Sequence, residues 1–191
     1  MQRYHSYPKT SGLAISALFA TLLSVSSLIS VPISFSPVPI TLQVMIVFLI
    51  ASLLGPIYGT FSCLIYLILG LVGIPVFAGA TSGIPILLGP TGGYLLGFPL
   101  GTLIGGIVAS KLSKTRREDL IRVSVATSLV LTVIYLMGAV WLAQYLHLTL
   151  FQALLFGVIP FIAVDIIKAL IAIPIIMSVR WNSFLNLPVR K

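Results

Sequence analysis

Long apolar stretches interrupted by Gly, Pro and a few charges dominate the hydropathy pattern of this sequence. A membrane-spanning helix needs about 20 apolar residues, and several stretches approach or exceed that length. The pattern predicts an all-α membrane protein with six transmembrane helices joined by Gly/Pro-rich external loops. The predicted helices are Gly12–Val31, Thr41–Leu54, Pro56–Val72, Gly92–Ser110, Leu120–Tyr145 and Leu150–Val179.

The second and third predicted helices are separated only by Gly55 and Pro56. Proline breaks the hydrogen-bond ladder of a helix, and glycine accepts backbone conformations that other residues avoid. The same run is also compatible with one long kinked helix or with a partly re-entrant pair. Six helices is the number we expect.

Charge is scarce and clustered. Only 7% of the 191 residues are charged, 59% are hydrophobic, and no residue between Lys9 and Lys111 carries a charge. A soluble domain carries about 25% charged residues, so this composition excludes a soluble enzyme. We expect one integral membrane domain over residues 1–191, with cytoplasmic tails at 1–11 and 181–191. The polar N-terminal tail lacks an Ala-x-Ala-like cleavage site, so it is predicted to be retained.

The net charge of +8 reflects membrane topology. Cytoplasmic loops are enriched in Lys and Arg, and an even number of spans places all three basic groups on one side. Both termini are therefore predicted to be cytoplasmic, and nucleic-acid binding is not expected because aromatic and basic residues do not alternate. The three groups are Arg3 and Lys9; Lys111, Lys114, Arg116, Arg117 and Arg122; and Arg180, Arg190 and Lys191.

Two segments predicted on the external side, residues 32–40 and 73–93, are rich in Pro and Gly but too apolar for simple solvated loops. Prolines restrict the backbone of the first segment, whose Phe35, Val38 and Ile40 need an apolar environment. We expect both segments to fold back onto the bundle as a lid over a cavity. The alternative is that they only cap helix ends.

Asp165 and Lys168 are the only charged residues in the middle of a predicted span, since Arg122 lies at the very start of the fifth. Their i, i+3 spacing places them on one helical face, and a charge at the centre of a span costs about 2.5–3.5 kcal/mol if it faces lipid. The pair is therefore predicted to face the bundle interior or a wet cavity. Lys168 could anchor the carboxylate of a small acid or zwitterion, with Asp165 orienting it or accepting ligand hydrogen bonds. Alternatively, the pair only neutralises itself.

Other polar residues near the external side are candidates by position. Thr91 and Tyr94 flank two glycines at the start of the fourth helix, where unpaired N–H groups and the positive end of the helix dipole are available. Gln43 opens the second helix, and Ser82 and its neighbour Thr81 lie in the long loop. The predicted substrate-binding set is Lys168, Asp165, Tyr94, Thr91, Gln43 and Ser82. Each of the last four could equally be structural.

Small residues form two stripes. Gly97, Gly101 and Gly105 recur every fourth residue in the fourth helix, which favours close packing inside the bundle. The first helix carries another such stripe, for which a partner protein is plausible. The predicted partner-docking residues are Ala14, Ser16, Ala17 and Ala20.

The sequence lacks the motifs of several common classes of catalytic and metal site. It contains no Gly-x-x-x-x-Gly-Lys-Ser/Thr phosphate loop and no His-Glu-x-x-His zinc motif, and its single cysteine, Cys63, cannot form an intrachain disulfide. Nothing positions a serine nucleophile near His147 and Asp165. The chain is predicted to be a binding membrane protein that is not an enzyme and uses no metal or cofactor.

Three segments resemble the BioY family, the biotin-specific substrate-binding component of prokaryotic energy-coupling factor (ECF) transporters. They are Pro37–Gln43 (PVPITLQ), Gly73–Gly79 (GIPVFAG) with Leu88–Phe98 (LGPTGGYLLGF), and Asp165–Lys168 (DIIK). The resemblance covers nearly the whole chain.

The resemblance implies six membrane helices in a prokaryotic cell membrane and biotin bound as substrate near the external face. It also implies coupling to an ECF transmembrane subunit and paired ATP-binding-cassette ATPases. Lys168 and Asp165 would belong to the biotin site, and small residues on the first helix would dock the coupling subunit. Two alternatives stay open: a substrate-binding subunit for another vitamin, and a non-transporting structural membrane subunit.

Overall fold

The computed structural model describes residues 9–111 and 113–181, with side chains from residue 11 onward. Most of both predicted cytoplasmic tails, including Arg3, Arg190 and Lys191, lies outside the described residues. The order of elements is α1 Lys9–Ser26, β1 Ser30–Ile33, β2 Ser36–Thr41, α2 Gln43–Leu71, α3 Ile84–Leu88, α4 Gly92–Ala109, α5 Arg116–Tyr145, α6 Leu150–Gly157 and α7 Ile159–Trp181.

With α2 counted as one run of 29 residues, four of these elements are long and apolar enough to cross a membrane: α2, α4, α5 and α7. The apolar part of α1, Ser11–Ser26, is shorter. Many large apolar side chains on the outer faces are exposed, among them Leu18 and Leu170 at 65% each. Such a surface suits lipid, where exposed apolar groups carry no hydration cost.

Helix α2 is a hairpin of two helical arms, 43–54 and 56–71. Gly55 has φ 73° and ψ −169°, a conformation essentially confined to glycine. Gln43 hydrogen-bonds Tyr66, although 23 residues of continuous helix would separate them by about 35 Å. The two arms therefore run antiparallel, which confirms the predicted break at Gly55 and Pro56.

The predicted final helix, Leu150–Val179, is wrong as a single helix. The structure divides it into α6 and α7 at Val158. Pro160 is the second residue of α7, where its missing N–H is tolerated, but it could not continue the ladder of α6. A capping box of Thr149 and Gln152 begins α6.

The prediction of an all-α chain also misses a small antiparallel sheet. β1 and β2 pair Ser30 with Thr41 and Val31 with Ile40 across a tight turn. Pro32, Pro37 and Pro39 suit this hairpin because both of its strands are edge strands, whose outward N–H groups need no partner.

The glycine stripe of α4 packs against α5 inside the bundle, as predicted. A Cβ atom built on Gly97 would lie 2.9 Å from Ile134 Cα, and one on Gly101 would lie 3.0 Å from Val130 O. On Gly105 it would lie 2.4 Å from Val130 Cγ2 and 2.8 Å from Ala126 O. These contacts leave no room for a side chain, so α4 and α5 approach almost backbone to backbone.

Replacing Gly105 with leucine should therefore destabilise the bundle. Overpacking costs about 1–3 kcal/mol, and the gain in helix propensity of about 1 kcal/mol offsets only part of it. We expect a lower unfolding temperature in detergent. Ile107→Leu on the exposed face of α4 is the control, and equal unfolding temperatures for both variants would contradict the packing role of Gly105.

Candidate functional site

A cavity of about 290 Å³ opens between the β-hairpin, the 73–93 segment and four helices. Small-molecule sites usually enclose about 300–1,000 Å³, so the cavity suits one compact ligand. The walls are mostly apolar and come from Val38 and Ile40 of the hairpin, Phe77 and Ile86 of the long segment, and Phe98, Phe161 and Ile134 of the helices.

Both segments predicted to form a lid contribute to this cavity. Hydrogen bonds hold the 73–93 segment on the bundle: Gly83 N donates to Gly70 O at 2.7 Å, and Trp141 Nε1 donates to Gly89 O at 2.9 Å. In the hairpin, Val38 is buried and Ile40 lines the cavity, whereas Phe35 is 62% exposed.

Asp165 and Lys168 lie on the inward face of α7. All buried residues of this helix except Met177 follow the three- and four-residue spacing of one stripe: Phe161, Asp165, Lys168, Ala172 and Ile176. Both charged residues line the cavity. Lys168 Nζ lies 2.6 Å from Asp165 Oδ1, so the two charges form an ion pair within α7.

The second carboxylate oxygen of Asp165 is also engaged. Tyr135 of α5 donates its hydroxyl to Asp165 Oδ2 at 2.7 Å. Sequence reasoning missed Tyr135, because an aromatic residue in an apolar helix usually serves as a core or interface residue. Only the packing of α5 against α7 brings it to the pair.

The ion pair is net neutral, which changes the chemistry available to a ligand. Lys168 has three N–H donors, of which one is directed at Asp165, while each carboxylate oxygen can accept more than one hydrogen bond. The pair therefore presents donors and acceptors side by side. Among residues 11–111 and 113–181, no second Lys or Arg lines the cavity.

Of the other predicted substrate-binding residues, Gln43, Thr91 and Tyr94 line the cavity and Ser82 does not. Its neighbour Thr81 does. Thr91 precedes the first turn of α4, so the N-terminal end of that helix also faces the cavity.

Two tyrosine hydroxyls fix the cavity walls. Tyr94 donates to Gly157 O at 2.8 Å, so its ring can contact a ligand while its hydroxyl joins α4 to α6. Tyr66 accepts a hydrogen bond from Gln43 and packs edge-on against Phe77, with ring centroids 5.6 Å apart. Gln43 is thereby held at the cavity wall with its amide in a defined position.

The predicted docking residues of α1 fall on two faces. Ser16 and Ala20 are buried, and Ser16 Oγ donates to Tyr58 O at 2.9 Å. Ala14 and Ala17 are exposed on the outer face. The structure thus leaves only two of the four residues accessible to a partner.

A second polar cluster joins four helices at the end of the bundle opposite the cavity. Arg180 Nη2 and Nε contact the two carboxylate oxygens of Asp119 at 2.7 and 3.0 Å. The same guanidinium donates to Ser52 O at 2.7 Å and Ala109 O at 3.0 Å. Trp181 Nε1 adds a bond of 2.7 Å to Asp119. We call this cluster the Arg180 clamp; it joins α2, α4, α5 and α7.

The fold and cavity define a helical membrane protein built to enclose one small ligand beneath an apolar lid, with a neutral ion pair as its polar element. A sequence model of the BioY family matches residues 1–184. The chain belongs to the BioY family, which confirms the resemblance found in its sequence.

Similar proteins agree with this assignment. The probable biotin transporter BioY of Pyrococcus horikoshii is 45% identical over 176 residues, covering 92% of this chain and 99% of the relative. The biotin transporter BioY of Thermotoga maritima is 39% identical, covering 85% and 92%. The crystal structure of the S-component for biotin from an ECF-type ABC transporter superposes with a TM-score of 0.79 at 31% identity, covering 94% of this chain and 95% of that one.

Proposed function

We propose that this protein is the biotin-binding S component of an ECF-type uptake transporter. The observation that carries the proposal is the cavity of a BioY family member, in which an apolar lid covers the Asp165–Lys168 pair. Biotin combines an apolar bicycle, a neutral ureido group and a valerate tail. An apolar cavity with a few fixed polar groups suits such a molecule.

The ureido ring is the part of biotin that we place at the ion pair. A ureido group carries adjacent N–H donors and a carbonyl acceptor, which match the acceptors of Asp165 and the free donors of Lys168. A carboxylate there would add a negative charge beside Asp165. This arrangement differs from the role expected from the sequence, in which Lys168 binds the carboxylate.

The valerate carboxylate then lies near Thr91, at the start of α4. The dipole of a helix favours an anion at its N-terminal end, although the N–H groups of Gly92 and Tyr94 already donate to Gly89 O and Thr91 O. Phe77, Tyr94 and Phe98 would contact the bicycle, and Gln43 would complete the polar contacts.

The chain functions, in this proposal, as a single membrane domain of six spans: α1, the two arms of α2, α4, α5 and α7. The basic α4–α5 connection and both tails lie in the cytoplasm, by the preference of Lys and Arg for that side. The cavity opens to the outside of a prokaryotic cell membrane.

Import requires partners in this proposal, because the sequence contains no phosphate-loop motif. An ECF transmembrane subunit docks on the outer face of α1 at Ala14 and Ala17, and ATP-binding-cassette ATPases supply the energy. Biotin is the substrate, and no cofactor is involved.

Calorimetric titration of the detergent-purified protein tests the function directly. We expect saturable one-to-one binding of biotin, with thiamine and riboflavin unable to displace it. Binding of another vitamin in preference to biotin would favour a different S component. Failure to bind any of the three, in folded protein free of copurified ligand, would favour a structural subunit.

A further inference from the structure

The Asp165 carboxylate is held from two helices at once. Lys168, on the same helix, contacts Oδ1 at 2.6 Å, and Tyr135, on α5, contacts Oδ2 at 2.7 Å. Asp165 is 3% exposed, so water does not compete freely for either oxygen.

The direction of the Tyr135 bond follows from the ion pair. A carboxylate paired with an ammonium is ionised and can only accept, so the tyrosine hydroxyl donates its proton to Oδ2. Bonds between a neutral donor and an ionised acceptor are about twice as strong as neutral ones. Tyr135 itself lines the cavity beside Ile134.

The hydrogen bond from Tyr135 to Oδ2 determines the plane of the Asp165 carboxylate. The terminal torsion of aspartate is broad, so a single partner on Oδ1 would leave the group free to rotate. A donor on the other oxygen, supplied from a different helix, fixes this rotation. The orientation of Asp165 also determines where the Lys168 ammonium lies.

We propose that Tyr135 is a positioning residue of the binding site, which orients Asp165 and, through it, Lys168 toward the ligand. This inference rests on the proposed function, because it assumes that the pair binds the ligand. Loss of the hydroxyl leaves the carboxylate plane unfixed before the ligand arrives, so part of the binding free energy goes into ordering it.

Titration of Tyr135→Phe with biotin tests the proposal. We expect affinity to fall about tenfold, the effect of removing one hydrogen bond to a charged group. Tyr145→Phe, on the same helix but outside the cavity, is the matched control and should bind like the wild type. Tyr135→Phe also leaves a buried carboxylate oxygen without its donor, so its unfolding temperature should lie below that of Tyr145→Phe while both variants stay folded.

A double-substitution cycle separates positioning from a general structural role. Asp165→Asn keeps the shape of the side chain and removes its charge. Its single carbonyl oxygen faces the Lys168 donor, so its amide N–H₂ faces Tyr135 and donates to the hydroxyl, which replaces a charge-assisted bond with a weaker neutral one. In that background, Tyr135→Phe should cost only about threefold. Equal losses in both backgrounds, or wild-type affinity for Tyr135→Phe, would overturn the role of Tyr135. Absence of biotin binding by the wild type would instead refute the proposed function.

Discussion

Replacing Lys168 with methionine should weaken biotin binding about a hundredfold. The substitution keeps the apolar stem and removes the ammonium that we place against the ureido carbonyl. Hydrogen bonds to a charged group contribute about 1.5–3 kcal/mol each, and about 2.7 kcal/mol corresponds to a hundredfold change in affinity. Calorimetry in detergent measures the effect.

The Lys168 substitution also leaves Asp165 as a buried charge without its ionic partner. Loss of one partner can destabilise a protein by several kcal/mol, whereas removal of both is often neutral. The double variant Asp165→Asn, Lys168→Met should therefore recover the unfolding temperature without recovering biotin affinity. Ile167→Ala, on the exposed face of α7, is the control for truncation in this helix.

A titration with biotinamide, the amide of biotin, shows which end of the ligand the Asp165–Lys168 pair binds. The amide lacks the negative charge of biotin but keeps the ureido ring. If the pair binds the ring, Lys168→Met should lower the affinity for biotin and the affinity for biotinamide by the same factor. If it binds the carboxylate, the wild type should already bind biotinamide poorly, and the substitution should add little. Unchanged biotin affinity of Lys168→Met would contradict both arrangements.

Breaking the Arg180 clamp should cause the largest loss of stability. Arg180→Ala removes a bidentate partner of buried Asp119 and leaves the carbonyls of Ser52 and Ala109 without their donor. Removing one member of a buried pair costs about 3–5 kcal/mol. We expect the unfolding temperature in detergent to fall by roughly 10 °C.

Lysine at position 180 should rescue only part of this loss, because an ammonium cannot reproduce the planar fork of the guanidinium. Arg117→Ala, at an exposed position of α5, is the matched control and should change stability by no more than about 0.5 kcal/mol. Similar unfolding temperatures for Arg180→Ala and Arg117→Ala would show that the clamp does not join the helices.

Much of the helical pattern could be predicted from local sequence. The break at Gly55 and Pro56 follows from two residues that disfavour a continuous helix, and the glycine stripe of α4 indicates close packing wherever its neighbour lies. The division of the last helix at Val158 was missed because the apolar run continues through it, although Pro160 marks the place. The β-hairpin was missed because its pairing joins residues up to 11 positions apart, which local periodicity does not report.

The candidate site was only partly visible in the sequence. Asp165 and Lys168 stand out because charge is costly inside a membrane, so their inward direction follows from solvation alone. Tyr135 has no such signal, since it lies 30 residues before Asp165 in an apolar helix. Arg180 and Asp119 were counted only as loop charges, although they form a buried pair between α7 and α5.

Reading along the chain is enough to show that this protein folds in a lipid bilayer, where its helices approximately lie, to which family it belongs, and which two charges must avoid lipid. These features depend on composition, on spacing within one helix, or on similarity along the chain. Helix packing is needed to show that the ion pair is neutralised within α7, that Tyr135 completes it, and that Arg180 joins the helices at the opposite end of the bundle. Each of these contacts depends on distances between helices, and those distances are set by how the helices pack together.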